Sequence, residues 1–255
     1  DREYIETELQ KIRIEPFALE WRTVMKKGIS ARKVDVVVPE DHKPHHHRHY
    51  SEIVELIRKA GFNENVTAMS LAVFAKIGEA EAKIHNTPLD KVHFHEVGAI
   101  DSIVDIIGAA LALDSLRIDR IVSAPVPLGS GTVRCDHGIY PVPAPATLEI
   151  MRGLPIASSE HRMELTTPTG AGIAAALVQA FAPSMPPMTV ERIGYGAGTR
   201  DLPNHPNVLR VVVGESDHGL HPGTDTFGAH GHAHTHHHGH GHHHHDHHHD
   251  HNHGH

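Results

Sequence analysis

The stretch "VHFHEVGAIDSIVDIIG", Val92 to Gly108, decides how this chain folds. Its first residues, Val92–His95, form a short predicted strand. A strand's side chains alternate between faces, so His93 and His95 point the same way. Gly98 supplies a turn, and a helix is expected from about Asp101 to Leu116. On that helix Asp101 and Asp105 are four residues apart, hence neighbours on one face. Two imidazoles beside Glu96 suit a metal or a phosphate-bound metal. Paired carboxylates repel unless a cation lies between them, and a hard ion such as Mg²⁺ or Mn²⁺ fits that role. The plainer account is a half-exposed strand and a helix whose first turn favours acids. It explains Asp101 better than Asp105, which Ile103, Val104, Ile106 and Ile107 surround.

Upstream, Ile5, Leu9 and Ile12 mark a helical stripe over residues 2–13, while Phe17, Leu19 and Trp21 alternate as a strand. Lys27-Gly28 reads as a turn into a second strand carrying Val34, Val36 and Val38. A first histidine cluster follows in "DHKPHHHRHY", with His42, His45, His46, His47 and His49. Ser51 is the expected N-cap of a helix that Gly61 ends, and an Ala-rich helix is expected from Asn65 to His85.

Downstream, "PVPLGSGTVRCDHGIYPVPAPA" is too dense in proline and glycine for one regular element and reads as a long shaped loop bordered by strand. Within it Cys135 and His137 could share a soft metal or meet a sulfur-bearing substrate. Gly129 and Gly131 would let backbone approach a phosphate. A tight hairpin with a buried, inert cysteine accounts for the same residues. A short helix over Thr147–Arg152 precedes "ELTTPTGAG", where Thr166, Thr167 and Thr169 stand at a helix start, an anion-binding arrangement that simple capping also explains. "GYGAGTRD" ends on Arg200, a phosphate fork or a strand-to-loop junction. Val208–Val213 is the last strand. Helices and strands alternate without strict βαβ spacing, so the expected class is α+β, or mixed α/β.

The whole chain has 255 residues, room for a sizeable core. A formal net charge of -8 gives nucleic acid no invitation. One cysteine excludes an internal disulfide and fits a reducing cytoplasm. No apolar run approaches the roughly 18–20 residues that cross a bilayer, and no signal-peptide pattern is visible, so no membrane partner is expected. Asp1 stands directly inside a helical pattern, which suggests a natural start further upstream. The 30 histidines are the outlier, and residues 218–255 hold 19 of them. That segment offers little to bury and is expected to be disordered without metal. Its runs, including His236, His237, His238, His243 and His244, suit several weak sites for Ni²⁺, Cu²⁺, Zn²⁺ or Co²⁺. One main domain over residues 1–215 and a histidine-rich tail over 216–255 follow.

Taken in order, "AEAKIH", "VHFHEVGAIDSIVDIIGA", "PVPLGSGTV", "HGIYPVPAPAT", "ELTTPTGA" and "GYGAGTRD" resemble the LarC family, nickel-insertion proteins for the lactate racemase cofactor. The resemblance covers roughly residues 1–215. Members generally carry an acidic, Gly-rich segment before the point where this chain starts, and commonly a second domain beyond the histidine-rich region. The resemblance implies a CTP-dependent nickel chelatase, a cyclometallase of the lyase class. Its substrate is pyridinium-3,5-bisthiocarboxylic acid mononucleotide, into which Ni²⁺ is inserted as a pincer complex, with Mn²⁺ or Mg²⁺ assisting CTP hydrolysis. Within that frame the tail and the Pro44–His49 cluster, with His45, His46, His47 and His49, gather nickel. His93, His95, Cys135 and His137 hold it while thiocarboxylate sulfurs take over. Asp101 and Asp105, with Glu96 beside them, bind Mn²⁺ or remove the ring proton. Thr166, Thr167, Thr169, Arg200, Gly129 and Gly131 meet phosphate. The implied partners are lactate racemase apoprotein or a second LarC domain, with a homo-oligomer left open. The competing reading is a non-catalytic nickel store or delivery metallochaperone.

Overall fold

A computed structural model describes residues 1–39, 41, 48–94, 97–135 and 138–216. The histidine-rich tail and the cluster over 42–47 lie outside them.

Helix α1 (Arg2–Leu9) starts at Asp1, whose carboxylate accepts from the Glu3 amide. Strands β1 (Ala18–Lys26) and β2 (Ile29–Val37) pair antiparallel. Lys27 and Gly28 close this hairpin at φ of 47° and 84°, the positive values a two-residue turn demands. The short β3 (Arg48–His49) runs straight into α2 (Tyr50–Lys59), followed by α3 (Glu64–Ile84). Then come β4 (His93–Phe94), antiparallel to β3, and α4 (Ile100–Ser115).

The proline-rich region breaks into β5 (Val122–Ser123), β6 (Val126–Pro127) and a hairpin of β7 (Thr132–Cys135) with β8 (Gly138–Pro141). Helix α5 (Pro145–Ile150), β9 (Ile156–Ala157), α6 (Pro168–Leu177) and β10 (Ala180–Phe181) follow. Strands β11 (Thr189–Ala197) and β12 (Val208–Glu215) complete the described residues. The largest sheet has the order β1-β2-β11-β12, with Gly196 of β11 opposite Arg32 of β2 in a parallel pairing. The architecture is α+β, as the sequence pattern predicts.

The core gathers around α3. Val66, Val73, Phe74 and Ile77 are fully buried against Ile103, Ile106, Ile107 and Leu111 of α4, with Leu9, Ile53 and Ile57 completing it. Helix α6 reaches α3 closely enough that a Cβ on Gly172 would lie 2.7 Å from Ile77 Cγ1. Small residues on α6 therefore serve helix packing. One expectation shifts. Helix α2 is capped at His49 rather than Ser51, because β3 passes into the helix without a loop and the Tyr50 amide donates to Val92 O at 3.0 Å. Of "GYGAGTRD", Gly194–Ala197 end the nine-residue β11 and the rest leaves it, which is the strand-to-loop reading.

Candidate metal and phosphate site

The β3–β4 pairing sets His93 directly opposite His49. Their ring centroids are 4.7 Å apart, with planes at 65°. Buried neighbours on either side, Val92 and Phe94, anchor the strand. The Glu52 carboxylate accepts from the His49 amide at 2.8 Å. Arg48 donates to Gly98 O at 2.7 Å and pairs with Glu15, which ties the strand pair to the turn before α4. The ring facing His93 across the strand pair is thus that of His49, a residue remote in sequence. His95 and Glu96 lie outside the described residues.

On α4, Ile103, Val104, Ile106 and Ile107 are all buried, leaving Asp101 and Asp105 on the polar stripe. One Asp101 carboxylate oxygen accepts from the Ser102 amide at 2.8 Å. Asp105 keeps an exposed edge, yet protein crowds the flanks of its carboxyl. Desolvation, with the Asp101 charge adding to it, pushes that carboxyl up to about 6, and Lys33 offsets part of the rise. Lys33 itself is well covered. It pairs with Asp35 at 2.9 Å and donates to Thr199 Oγ1 at 3.0 Å, so it ties β2 to the segment after β11 while its charge acts on Asp105.

That segment is fixed from below by Lys26, a buried lysine donating to Thr199 O and Arg200 O, both at 3.3 Å, and to Asp201 at 2.6 Å. Asn207 also donates to Arg200 O, at 2.9 Å. The Arg200 backbone is held while the residue remains exposed to solvent.

Elsewhere the loop over 125–131 lies along residues 161–166. Gly129 bridges Glu164, the Leu165 amide donates to Leu128 O at 3.2 Å, and Ser130 Oγ donates to His161 O at 3.0 Å. A Cβ on Gly129, whose φ is 87°, would lie 1.9 Å from Met163 O, so close approach of two chain segments already explains this glycine. Gly131 also has positive φ, 93°. Thr166 Oγ1 donates to Pro127 O at 2.7 Å, which commits its proton. Thr167 caps α6 by accepting from the Gly170 amide at 3.3 Å, which leaves its own proton for an anion. Thr169 sits in the first turn of α6.

Cys135 is half-buried in the β7–β8 hairpin, its thiol donating to Gly138 O at 3.5 Å. The segment is a hairpin, but its cysteine is half-buried rather than buried as that reading expected. Asp136 and His137 lie outside the described residues, as do His45, His46, His47, His236, His237, His238, His243 and His244. Among the described residues no three His, Cys, Asp or Glu side chains converge as a ready metal cage. Sequence reasoning missed Lys33 and counted His49 only as one member of the nickel-gathering Pro44–His49 cluster. Strand alternation placed Lys33 opposite the valines, but nothing local paired it with α4.

The fold and these side chains describe an α+β domain with a cross-strand histidine pair and an acidic stripe on α4. The chain belongs to the nickel insertion protein family, which it matches over residues 1–251. It is similar to the pyridinium-3,5-bisthiocarboxylic acid mononucleotide nickel insertion protein of Geobacillus kaustophilus, 53% identical over 88% of this chain and 56% of that one. The proteins of the same name from Staphylococcus epidermidis and Clostridium kluyveri are each 46% identical, covering 84% and 85% of this chain and 53% and 56% of theirs. The chain therefore spans about half the length of the curated relatives it matches. Comparison with solved structures gave no significant match.

Proposed function

We propose that this chain supplies the nickel-handling half of a nickel chelatase acting on pyridinium-3,5-bisthiocarboxylic acid mononucleotide. The observation that carries the reading is the acidic pair four residues apart on α4, where crowding and the Asp101 charge push the Asp105 carboxyl up to about 6. Forming a carbon–nickel bond on the pyridinium ring replaces a ring proton by Ni²⁺. A base whose acidity lies near the working pH suits that exchange. The C–H bond breaks, the electron pair goes to nickel, and the proton passes to the Asp105 carboxylate. His93 presents nickel as substrate, and thiocarboxylate sulfurs displace it.

CTP and Mn²⁺ or Mg²⁺ belong to the same reading as cofactors. Two carboxylates on one helical face, one destabilised as an anion, fit a hard cation, and Asp101 would hold it. For a nucleotide phosphate, Thr167, Thr169 and the first amides of α6 fit best, with Arg200 as a second cationic group. Thr166 fits poorly because its proton is committed. Hydrolysis of the nucleotide would supply free energy when the cofactors are bound. Lactate racemase apoprotein, the remaining half of the family's longer members, or a second copy of this chain are the partners this reading admits. Among the described residues no helix is long and apolar enough to cross a membrane.

The 19 histidines of residues 218–255 favour a second reading, a non-catalytic nickel store or delivery protein. One assay separates the two. The full chain, supplemented with the remaining half of a relative, is mixed with the thiocarboxylated mononucleotide, Ni²⁺, Mn²⁺ and CTP. Nickel-pincer absorbance should appear, and Asp105→Asn should slow it by about a hundredfold or more, the usual share of a general base, with nickel binding intact. Absence of that absorbance with the wild-type chain would leave only the storage reading.

A further inference from the structure

The geometry points to His49 and His93 as a two-imidazole loading port for a borderline divalent cation, nickel in the reaction above. This rests on the nickel-handling reading and adds to it a ligand that neither the sequence motifs nor the family assignment singles out.

Distance is the first argument. A metal about 2.1 Å from each ligating nitrogen lies about 3.2 Å from each ring centroid, so two imidazoles at about 90–110° on one ion have centroids about 4.6–5.3 Å apart. The observed separation of 4.7 Å falls within that range. Ni²⁺ is among the borderline ions that imidazole suits.

Rigidity is the second. The two histidines face each other across a single register, held by Arg48 opposite Phe94 on one side and by the Tyr50 amide on Val92 O on the other. Glu52 secures the His49 backbone, and Arg48 secures the Gly98 turn. Two ligands on paired strands lose little freedom when a metal joins them, unlike histidines on a long polar segment.

Access is the third. His49 is exposed and His93 half-buried, so their edge contact is not core packing and an ion can arrive from solvent. Two protein nitrogens leave the remaining coordination positions to incoming sulfur. A donor that must surrender its metal should hold it with few ligands.

Footprinting with an imidazole-acylating reagent tests the port on the full chain with Ni²⁺ alone. Trypsin cleaves after Arg48, which isolates His49 from the preceding cluster, and fragmentation separates His93 from His95 in their shared peptide. Nickel should protect His49 and His93 with one common midpoint. His49→Asn keeps a good helix cap but loses the ligand. It should raise the nickel concentration that protects His93 by about a hundredfold, the low end of what linked sites gain. The reciprocal His93→Asn should do the same to His49, while protection of the tail stays unchanged. Equal acylation of His49 with and without nickel overturns the port, as does protection of His49 that survives His93→Asn. Paired protection with no nickel-pincer product in the insertion assay supports the port and overturns the reaction assigned to the chain.

Discussion

Asp105 carries a conflict between folding and chemistry in a single carboxyl. In the unfolded chain it ionises near 3.8, and in the folded chain crowding and Asp101 delay ionisation to about 6. The folded state therefore favours the protonated form. That contribution to stability is complete below about 3.8 and is gone once the pH has risen past about 6. Above neutrality the anion burdens the fold unless a cation or Lys33 answers it. In metal-free buffer Asp105→Asn should melt higher than wild type at pH 8, and the difference should vanish below pH 4. Parallel melting curves from pH 4 to pH 8 would show that the carboxyl is not crowded. The position was legible in the sequence, since an acid four residues from another amid four apolar side chains is hard to explain by capping. Its partner Lys33 was not, because Lys33 reaches α4 only after β2 has found its place in the sheet.

The loop over 125–131 and the strip over 161–166 show what elements add to residues. Read in sequence, glycines and threonines of these segments suggested a phosphate cradle. In the fold much of that chemistry is internal: Gly129 admits Met163 O, and Thr166 donates to Pro127 O. Gly129→Ala should consequently cost about 2–4 kcal/mol, combining a strained positive φ with a steric clash. Gly194→Ala on β11, where an added Cβ meets nothing within 4 Å, should change the melting temperature little. Comparable melting of the two variants would mean that the loop does not lie along residues 161–166. Hydrophobic periodicity made α3, α4, β1 and β2 legible because each buries one stripe or alternates cleanly. The short β4 was read from the alternation of Val92–His95, but the two-residue strands β3, β6 and β9 were beyond it. They exist through pairing with distant segments, and the cross-strand meeting of His49 and His93 could not be read without that pairing.

At the scale of the molecule the chain joins a folded part to a polar segment of very different composition. Among the described residues every buried core residue lies between Leu9 and Leu202, and the last strand ends at Glu215. Removing residues 216–255 should leave the melting temperature in a chelating buffer within about 2 °C of wild type, as for changes that remove no core contact. The functional consequence separates the two roles assigned to histidine here. Many weak imidazoles raise the local concentration of nickel without fixing it, so their loss matters when the metal is scarce. The truncated chain should support slow insertion at limiting nickel and wild-type rates at excess nickel. Since only neutral imidazole binds metal, the deficit at limiting nickel should widen from pH 6 to pH 7.5 as the tail loses protons. Loss of insertion at limiting and excess nickel alike would make the tail the functional element and favour storage or delivery. Undiminished insertion at limiting nickel would show that the tail gathers nothing the port needs. The predicted pattern, slow when nickel is scarce and restored by excess, places capture in the tail and use at the β3–β4 pair beside α4.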